Sequence, residues 1–353
     1  MVYHSGMTRG GFLGVDMFFT LSGFLITSLM LEEYAATSTI SVPAFYARRA
    51  LRLLPALFAF LGVWGIYFLV TRPPAFWPLG GTYLALVALY VANWAGIWWY
   101  GLGIFGHTWS LAIEEQFYLV WPLAILLLIR GVKRHARIAW ILLVVAAASA
   151  VWRFDVALAG ASMRRIYWGT DTHADGLLIG AALAFFVSGS RLVLFTRGLG
   201  AARCVSAVGL VALLVTAPHV PGYVFGITMP VALATALIIL DVLNGGSWIA
   251  RVLETRELGR IGRISYGLYL WHFPVFYELG ALKGPGEHAP YVHTLLAWAV
   301  TFAAALTSYL LIERRALAYK DRFSRSHRVA QTGQIGDHVP AQPGQVSAIP
   351  ISP

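Results

Sequence analysis

Long apolar runs alternate with short polar stretches along this chain as far as residue 312. Runs near 13–31, 53–70, 110–129, 138–158, 174–188, 203–217, 224–243, 264–282 and 292–312 have or approach the length a helix needs to cross a hydrocarbon layer about 30 Å thick. A further run, 80–98, is bounded by Gly80-Gly81 and by a glycine-rich loop. The pattern predicts an all-α, polytopic transmembrane helical bundle. Basic residues gather in the loops at 48–52, 130–137, 189–203 and 244–263 and in the tail after 313. Loops rich in Lys and Arg stay in the cytoplasm. The chain must therefore cross an even number of times between 48–52 and 130–137, where three apolar segments lie. The run at 80–98 is the odd one, expected as a re-entrant or interfacial segment whose backbone is buried in protein. Arg164 and Arg165 on an outer loop are a mild exception. The count is about nine crossings, with residues 1–11 outside and the C-terminus cytoplasmic. From about residue 324 the chain turns polar, aperiodic and rich in Pro, Gly and Gln. A transmembrane domain at 1–320 and a disordered cytoplasmic tail at 321–353 are expected.

Composition agrees. Hydrophobic residues make up 58% and charged residues only 12%, about half the charged fraction of a soluble domain. The net charge of +10 resides in the loops and reads as a topology signal, so no nucleic-acid partner is expected and the lipid bilayer is the partner implied. Thirteen Trp and sixteen Tyr suit anchors at the two membrane interfaces. The single Cys204 excludes an internal disulfide and a multi-cysteine metal site. The first eleven residues are polar and lack the apolar core of a cleavable signal peptide.

Against that background each polar group inside an apolar run calls for a reason, because an unpaired charge there costs a few kcal/mol. Asp16 sits among Val15, Met17, Phe18 and Phe19, shortly after His4 and a glycine-rich turn. Arg48, Arg49 and Arg52 precede the second run; spaced by three and four, Arg52 shares a helical face with the other two. They read either as a cytoplasmic boundary or as a clamp for an anion, since guanidinium forks fit phosphate oxygens. HTWSLAIEEQFYLVWP at 107–122 brings His107, Ser110, Glu114, Glu115, Gln116 and Tyr118 into one span from its outer end. YWGTDTHADGLLIGAALA at 167–184 brings Asp171, His173 and Asp175. Asp171 and Asp175 could share a face, but no second histidine follows four residues after His173, and no metal site is expected. RISYGLYLWHFP at 263–274 places His272 in mid-span. These residues describe a polar-lined membrane bundle, an enzyme or a transporter.

Six stretches in order carry a resemblance: HSG…GGFLGVDMFFTLSGFLIT, FYARRALRLLPAL, HTWSLAIEEQFYLVWP, TDTHADGLLIGAALA, RISYGLYLWHFPV and SYLLIERR. From His4 to about Arg314 the chain resembles the acyltransferase-3 family of membrane O-acyltransferases, which modify surface glycans and natural products. The resemblance implies transfer of an acyl group, commonly acetyl, from acyl-CoA to a hydroxyl, often of a carbohydrate, in a bacterial cytoplasmic membrane. On it, His4 matches the family's essential histidine and would serve as general base, a task suited to an imidazole near neutral pH. Arg49 and Arg52, with Arg48 beside them, would grip the acyl donor. Glu114 and Glu115 would orient or charge the histidine. Asp16, Ser22, Tyr118, Asp171, His173 and His272 are the candidates for substrate contact. His173 stands where the family usually has arginine. The family also places a helix before its histidine, whereas this chain begins three residues before His4; one helix is expected to be missing, leaving His4 at a frayed terminus and transfer weak. The rival reading is an exporter of small acids or acylated products.

Overall fold

The computed structural model of the protein describes residues 1–99, 101–189, 200–217, 221–245, 247–283, 287 and 289–319. Among them there are helices and turns and no strand, as an apolar chain in lipid requires: backbone groups must be satisfied within the segment itself. The proposed tail lies outside the described residues.

Helix α1 spans Leu13–Thr37 and stops at Ser38, whose left-handed backbone (φ 55°) lets its N–H bond the Tyr34 carbonyl. Pro43 sits in the first turn of α2, Val42–Thr71, where the missing N–H costs nothing. Helices α3, Trp77–Ala88, and α4, Ala92–Trp98, are separated by Tyr90 at φ 54°. They occupy the segment read as re-entrant. At 1.5 Å per residue, α3 is about 18 Å long and cannot cross a 30 Å core by itself. A 3₁₀ turn, Gly103–Thr108, leads into α5, Trp109–Gly131. There follow α6 (His135–Leu158), α7 (Met163–Trp168), α8 (Thr170–His173), α9 (Asp175–Gly189), α10 (Gly200–Thr216), α11 (Pro221–Asn244), α12 (Trp248–Leu253), α13 (Arg256–Glu278) and α14 (Tyr291–Ser308). A π-helical turn, Tyr309–Glu313, joins α14 to α15, Arg314–Leu317.

Among the described residues, six stretches of helix are long and apolar enough to cross a membrane: Leu13–Thr37, Val42–Thr71, Gly103–Gly131, His135–Leu158, Gly226–Asn244 and Tyr291–Leu317. The chain is an integral membrane protein, with six candidate spans among the described residues rather than a confirmed nine. Two of the other three expected spans, in α9 and α10, are shorter apolar helices. The third, α13, begins with Arg256, Glu257, Arg260 and Arg263, and its apolar part is too short to qualify. Large apolar side chains such as Ile66, Val70, Leu119, Leu127, Val144 and Val151 point outward, as a lipid-facing surface demands.

The centre of the bundle is the pair α1 and α9, with α6 behind α9. Backbones touch there because two glycines permit it. A Cβ at Gly23 would lie 2.0 Å from the Leu177 carbonyl oxygen, and one at Gly180 2.0 Å from that of Thr20. Small residues at helix contacts serve this purpose in membranes. An aromatic cluster of Phe60, Phe105 and Trp271 packs α2, the 3₁₀ turn and α13 together.

The amino-terminal loop is tied down rather than frayed. The Arg9 and Gly10 N–H groups donate to the Val215 and Leu214 carbonyls at the end of α10. The Lys283 N–H donates to the His4 carbonyl at 2.9 Å. His4 is thereby anchored to the loop that follows α13.

Candidate active site

Helix α5 and the turn before it carry His107, Ser110, Glu114 and Tyr118, spaced three to four apart and so along one face. All four are buried. At the Tyr118 end, both the Tyr118 and Ser22 hydroxyls donate to Glu114 Oε1 in short contacts, and the two hydroxyl oxygens also approach each other. Arg49 of α2 donates to Glu115 Oε1 at 2.8 Å, and its guanidinium carbon lies 3.4 Å from the centre of the Tyr118 ring. Cation and ring attract through the ring quadrupole, most strongly where water is excluded. Ser22, Arg49, Glu114, Glu115 and Tyr118 thus form one cluster from α1, α2 and α5. Arg49 Nε is buried with no partner.

At the other end of the same face stand three imidazoles. His4 and His272 have ring centres 5.3 Å apart, His107 and His272 5.4 Å. Phe273 stacks on His107 at 5.2 Å and meets His4 edge-on at 5.0 Å. Tyr269 donates its hydroxyl to the His107 carbonyl at 2.6 Å and accepts from the Ser110 hydroxyl at 2.5 Å. His4 is half-buried; burial pushes its imidazole down to about 3, because the charged form is the one that loses hydration. The imidazole is therefore neutral near pH 7. From His107 to Tyr118 is eleven residues, about 16 Å along the helix.

A second polar knot is closed on itself. Asp16 Oδ1 lies 2.8 Å from His173 Nε2, and His173 Nδ1 lies 2.6 Å from the Tyr167 carbonyl. A carbonyl only accepts, so Nδ1 carries a proton, and Nε2 is already engaged by the carboxylate. His173 has no nitrogen left for a substrate. Below it, Arg153 makes a two-point pair with Asp175 at 3.1 and 2.9 Å, and bonds the Thr172 carbonyl at 2.7 Å; both side chains are 1% exposed. Asp171 pairs with Arg165 and takes the Trp152 N–H. Burial would raise the Asp171 carboxyl, but the Arg165 and Trp152 donors hold it below its usual value.

The structure therefore sorts the expected residues. Asp16 pairs with His173 and not with His4, twelve residues before it in the sequence. Asp171 and Asp175 share no ligand face, each being spent on an arginine. The acidic pair is not brought to His4: Glu114 holds Ser22 and Tyr118, Glu115 holds Arg49, and the ring neighbours of His4 are Tyr3, His272 and Phe273. Arg49 and Glu115, expected toward opposite faces of the membrane, touch. The three arginines part company. Arg48 pairs at 2.7 Å with Glu33, which also accepts the Ser41 N–H and so braces the turn from α1 to α2. Arg49 turns inward, and Arg52 is exposed. Sequence reasoning did not single out Arg153, a buried cation whose position inside the apolar run at 138–158 was the available signal. It also passed over Tyr269 and left His107 without a role of its own. Gln116 proves structural: it bonds the Tyr90 carbonyl, Asn93 and Thr170, tying the broken α3–α4 segment and α8 to α5.

Comparison with known proteins bears on what this arrangement does. A family model described as an acyltransferase domain matches residues 2–314. The chain is 33% identical over 292 residues to the peptidoglycan O-acetyltransferase OatA of Listeria monocytogenes, covering 78% of this chain and 47% of that protein. It is 32% identical over 332 residues to a protein of Staphylococcus aureus (strain COL) provisionally named an O-acetyltransferase, covering 89% of this chain and 54% of that one. It is 31% identical over 332 residues to YrhL of Bacillus subtilis, provisionally named a peptidoglycan O-acetyltransferase, covering 89% and 52%. The chain spans about half the length of these relatives. No solved structure matches it.

Proposed function

The chain belongs to the acyltransferase-3 family, and we propose from that premise that it is a membrane O-acyltransferase of the bacterial cytoplasmic membrane. It would move an acetyl or similar acyl group from acyl-CoA to a hydroxyl of a glycan, peptidoglycan by analogy with the names of its relatives. The observation that carries this reading is the polar seam along α5, which joins an inward arginine to a group of imidazoles through the bundle. Such a seam suits a ligand with an anionic end and a reactive end about three helical turns apart.

In this reading Arg49 holds the phosphate-bearing part of the donor, which competes with Glu115 for the guanidinium, and exposed Arg52 adds a second fork from the same helix. His4 accepts the proton of the acceptor hydroxyl. The hydroxyl oxygen bonds to the thioester carbonyl carbon, the carbon–sulfur bond breaks, and the departing thiolate takes the proton back from His4. The extended arm of the donor spans the distance from Arg49 to His4. The C-terminus is read as cytoplasmic from the basic loops. Glu114 and Glu115 serve the arginine end, not the base.

The test is transfer of labelled acetyl from acetyl-CoA to soluble peptidoglycan fragments by protein reconstituted in lipid nanodiscs, compared with His4→Ala and Arg49→Ala. Label reaching the fragments only with His4 present supports the reading. Vesicle-trapped label that leaves without being transferred would instead identify an exporter.

A further inference from the structure

The two imidazoles beside His4 have tautomers set by the backbone. His107 Nε2 lies 3.1 Å from the Leu270 carbonyl oxygen, and His272 Nδ1 lies 2.7 Å from that of Tyr269. A carbonyl oxygen accepts and never donates, so each of these nitrogens carries the hydrogen. The lone pair then falls on the opposite nitrogen: Nδ1 of His107 and Nε2 of His272. His107 Nδ1 is buried and has no partner. His272 is 4% exposed, and no hydrogen bond engages its Nε2 among the described residues. Among the described residues no carboxylate pairs with either ring, so neither is compensated there as a cation, and a buried uncompensated cation is costly. Two neutral acceptors, held by backbone in α13 and locked further by Tyr269 on the His107 carbonyl, stand next to the half-buried ring of His4. Leaving such acceptors unmatched is unfavourable, and a ligand rich in hydroxyl donors would satisfy both. Phe273, partly buried against His107 and His4, offers an apolar face of the kind on which the C–H side of a sugar ring packs.

We propose that His107 Nδ1 and His272 Nε2 form a subsite that accepts hydrogen bonds from hydroxyls of a neutral polyol segment of the acceptor, presenting one hydroxyl to His4. This deepens the acyltransferase reading and rests on it for the identity of the reacting group, while the subsite itself is tested by binding alone. Full-length chain in nanodiscs is titrated with labelled soluble peptidoglycan fragments, with the unfolding temperature of each variant measured alongside. His107→Ala and His272→Ala are each expected to weaken fragment binding about tenfold, the equivalent of ~1.4 kcal/mol. His107→Asn puts an oxygen near the place of Nδ1 and His272→Gln near that of Nε2, and both are expected to regain most of the affinity. Equal fragment affinity in wild type and both alanine variants overturns the proposal, as does failure of the Asn and Gln variants to improve on alanine. Fragments that bind and respond in this pattern, without acetyl ever being transferred, support the subsite and remove the transferase reading instead. Acetyl transfer to some other acceptor by a wild type that does not bind the fragments overturns the subsite for this ligand.

Discussion

His173 and His272 both bond a backbone carbonyl through Nδ1, at 2.6 Å to Tyr167 and 2.7 Å to Tyr269. Both are buried, and both stand among aromatic rings. They differ in what faces Nε2. In His173 it is the Asp16 carboxylate, which also answers the cost of that acid inside α1. In His272 no group among the described residues bonds it. One ring is saturated by its own fold and holds α1 to α8; the other keeps a lone pair that only something from outside can use. The two arginines differ in how firmly they are held: Arg153 makes two bonds to Asp175 and one to the Thr172 carbonyl, Arg49 one to Glu115, while the Nε of each is left without a partner. For the two histidines burial and residue type are alike, and unfilled hydrogen-bonding capacity is what separates support from chemistry.

The sharpest way to break this division is at the activity end. His4→Ala is expected to lower acetyl transfer about 10²- to 10⁴-fold, the range for a lost general base, with little change in unfolding temperature. Transfer preserved within a fewfold would take the base role away from His4. At the support end, Arg153→Ala is expected to destabilise the bundle by about 3–5 kcal/mol, because it strands Asp175 as a buried charge. The double change Arg153→Met with Asp175→Leu should recover much of that loss. Thermal unfolding in detergent measures both, and a single variant as stable as wild type would mean that the knot is not a support. Arg49→Ala is expected to weaken acetyl-CoA binding by about 1–3 kcal/mol, with Arg49→Lys recovering only part because lysine lacks the fork. Arg48→Ala should leave donor affinity unchanged, since Arg48 braces the α1–α2 turn. Equal losses at both positions would erase the distinction drawn between them.

The smallest effect concerns pH. The His4 imidazole is held down to about 3, against about 6.5 for a free histidine. The base therefore stays neutral as pH falls from 8 toward 4, and kcat/KM should not show an acid limb near 6.5 arising from His4. The sign for stability runs the other way. Below 6.5 the unfolded chain binds a proton at His4 that the folded chain refuses until about 3, so the contribution of this residue falls as the medium is acidified across that window. An acid limb at 6.5 that disappears in His4→Gln would show a solvated histidine.

Much of the bundle was legible beforehand because apolar run length records burial in lipid directly. The runs at 13–31, 138–158 and 292–312 all became helices near the expected bounds, and the 80–98 segment stood out by its glycines before it proved to be two short helices broken at Tyr90. The motifs were equally legible, and the family they indicate is the one the chain belongs to. What run length could not supply is whether a helix such as α13, with four charged residues in its first eight, crosses at all.

Partnership was the part that the amino-acid order left open. It put an acid at 16 and a histidine at 4, and proximity in sequence joined them; the fold joined Asp16 to His173, 157 residues away. It put Arg49 and Glu115 in different helices assigned to different faces, and packing brought them to 2.8 Å. Periodicity tells which side of a helix is buried, since that depends on the residue itself. Which buried donor meets which buried acceptor depends on how helices far apart in the chain are set side by side. Here that is decided by close backbone contacts such as those at Gly23 and Gly180. By itself the sequence determined a helical membrane bundle and the chemistry it carries. Only the tertiary structure decided that His173 and Arg153 are spent on holding the bundle, and that His107 and His272 are not.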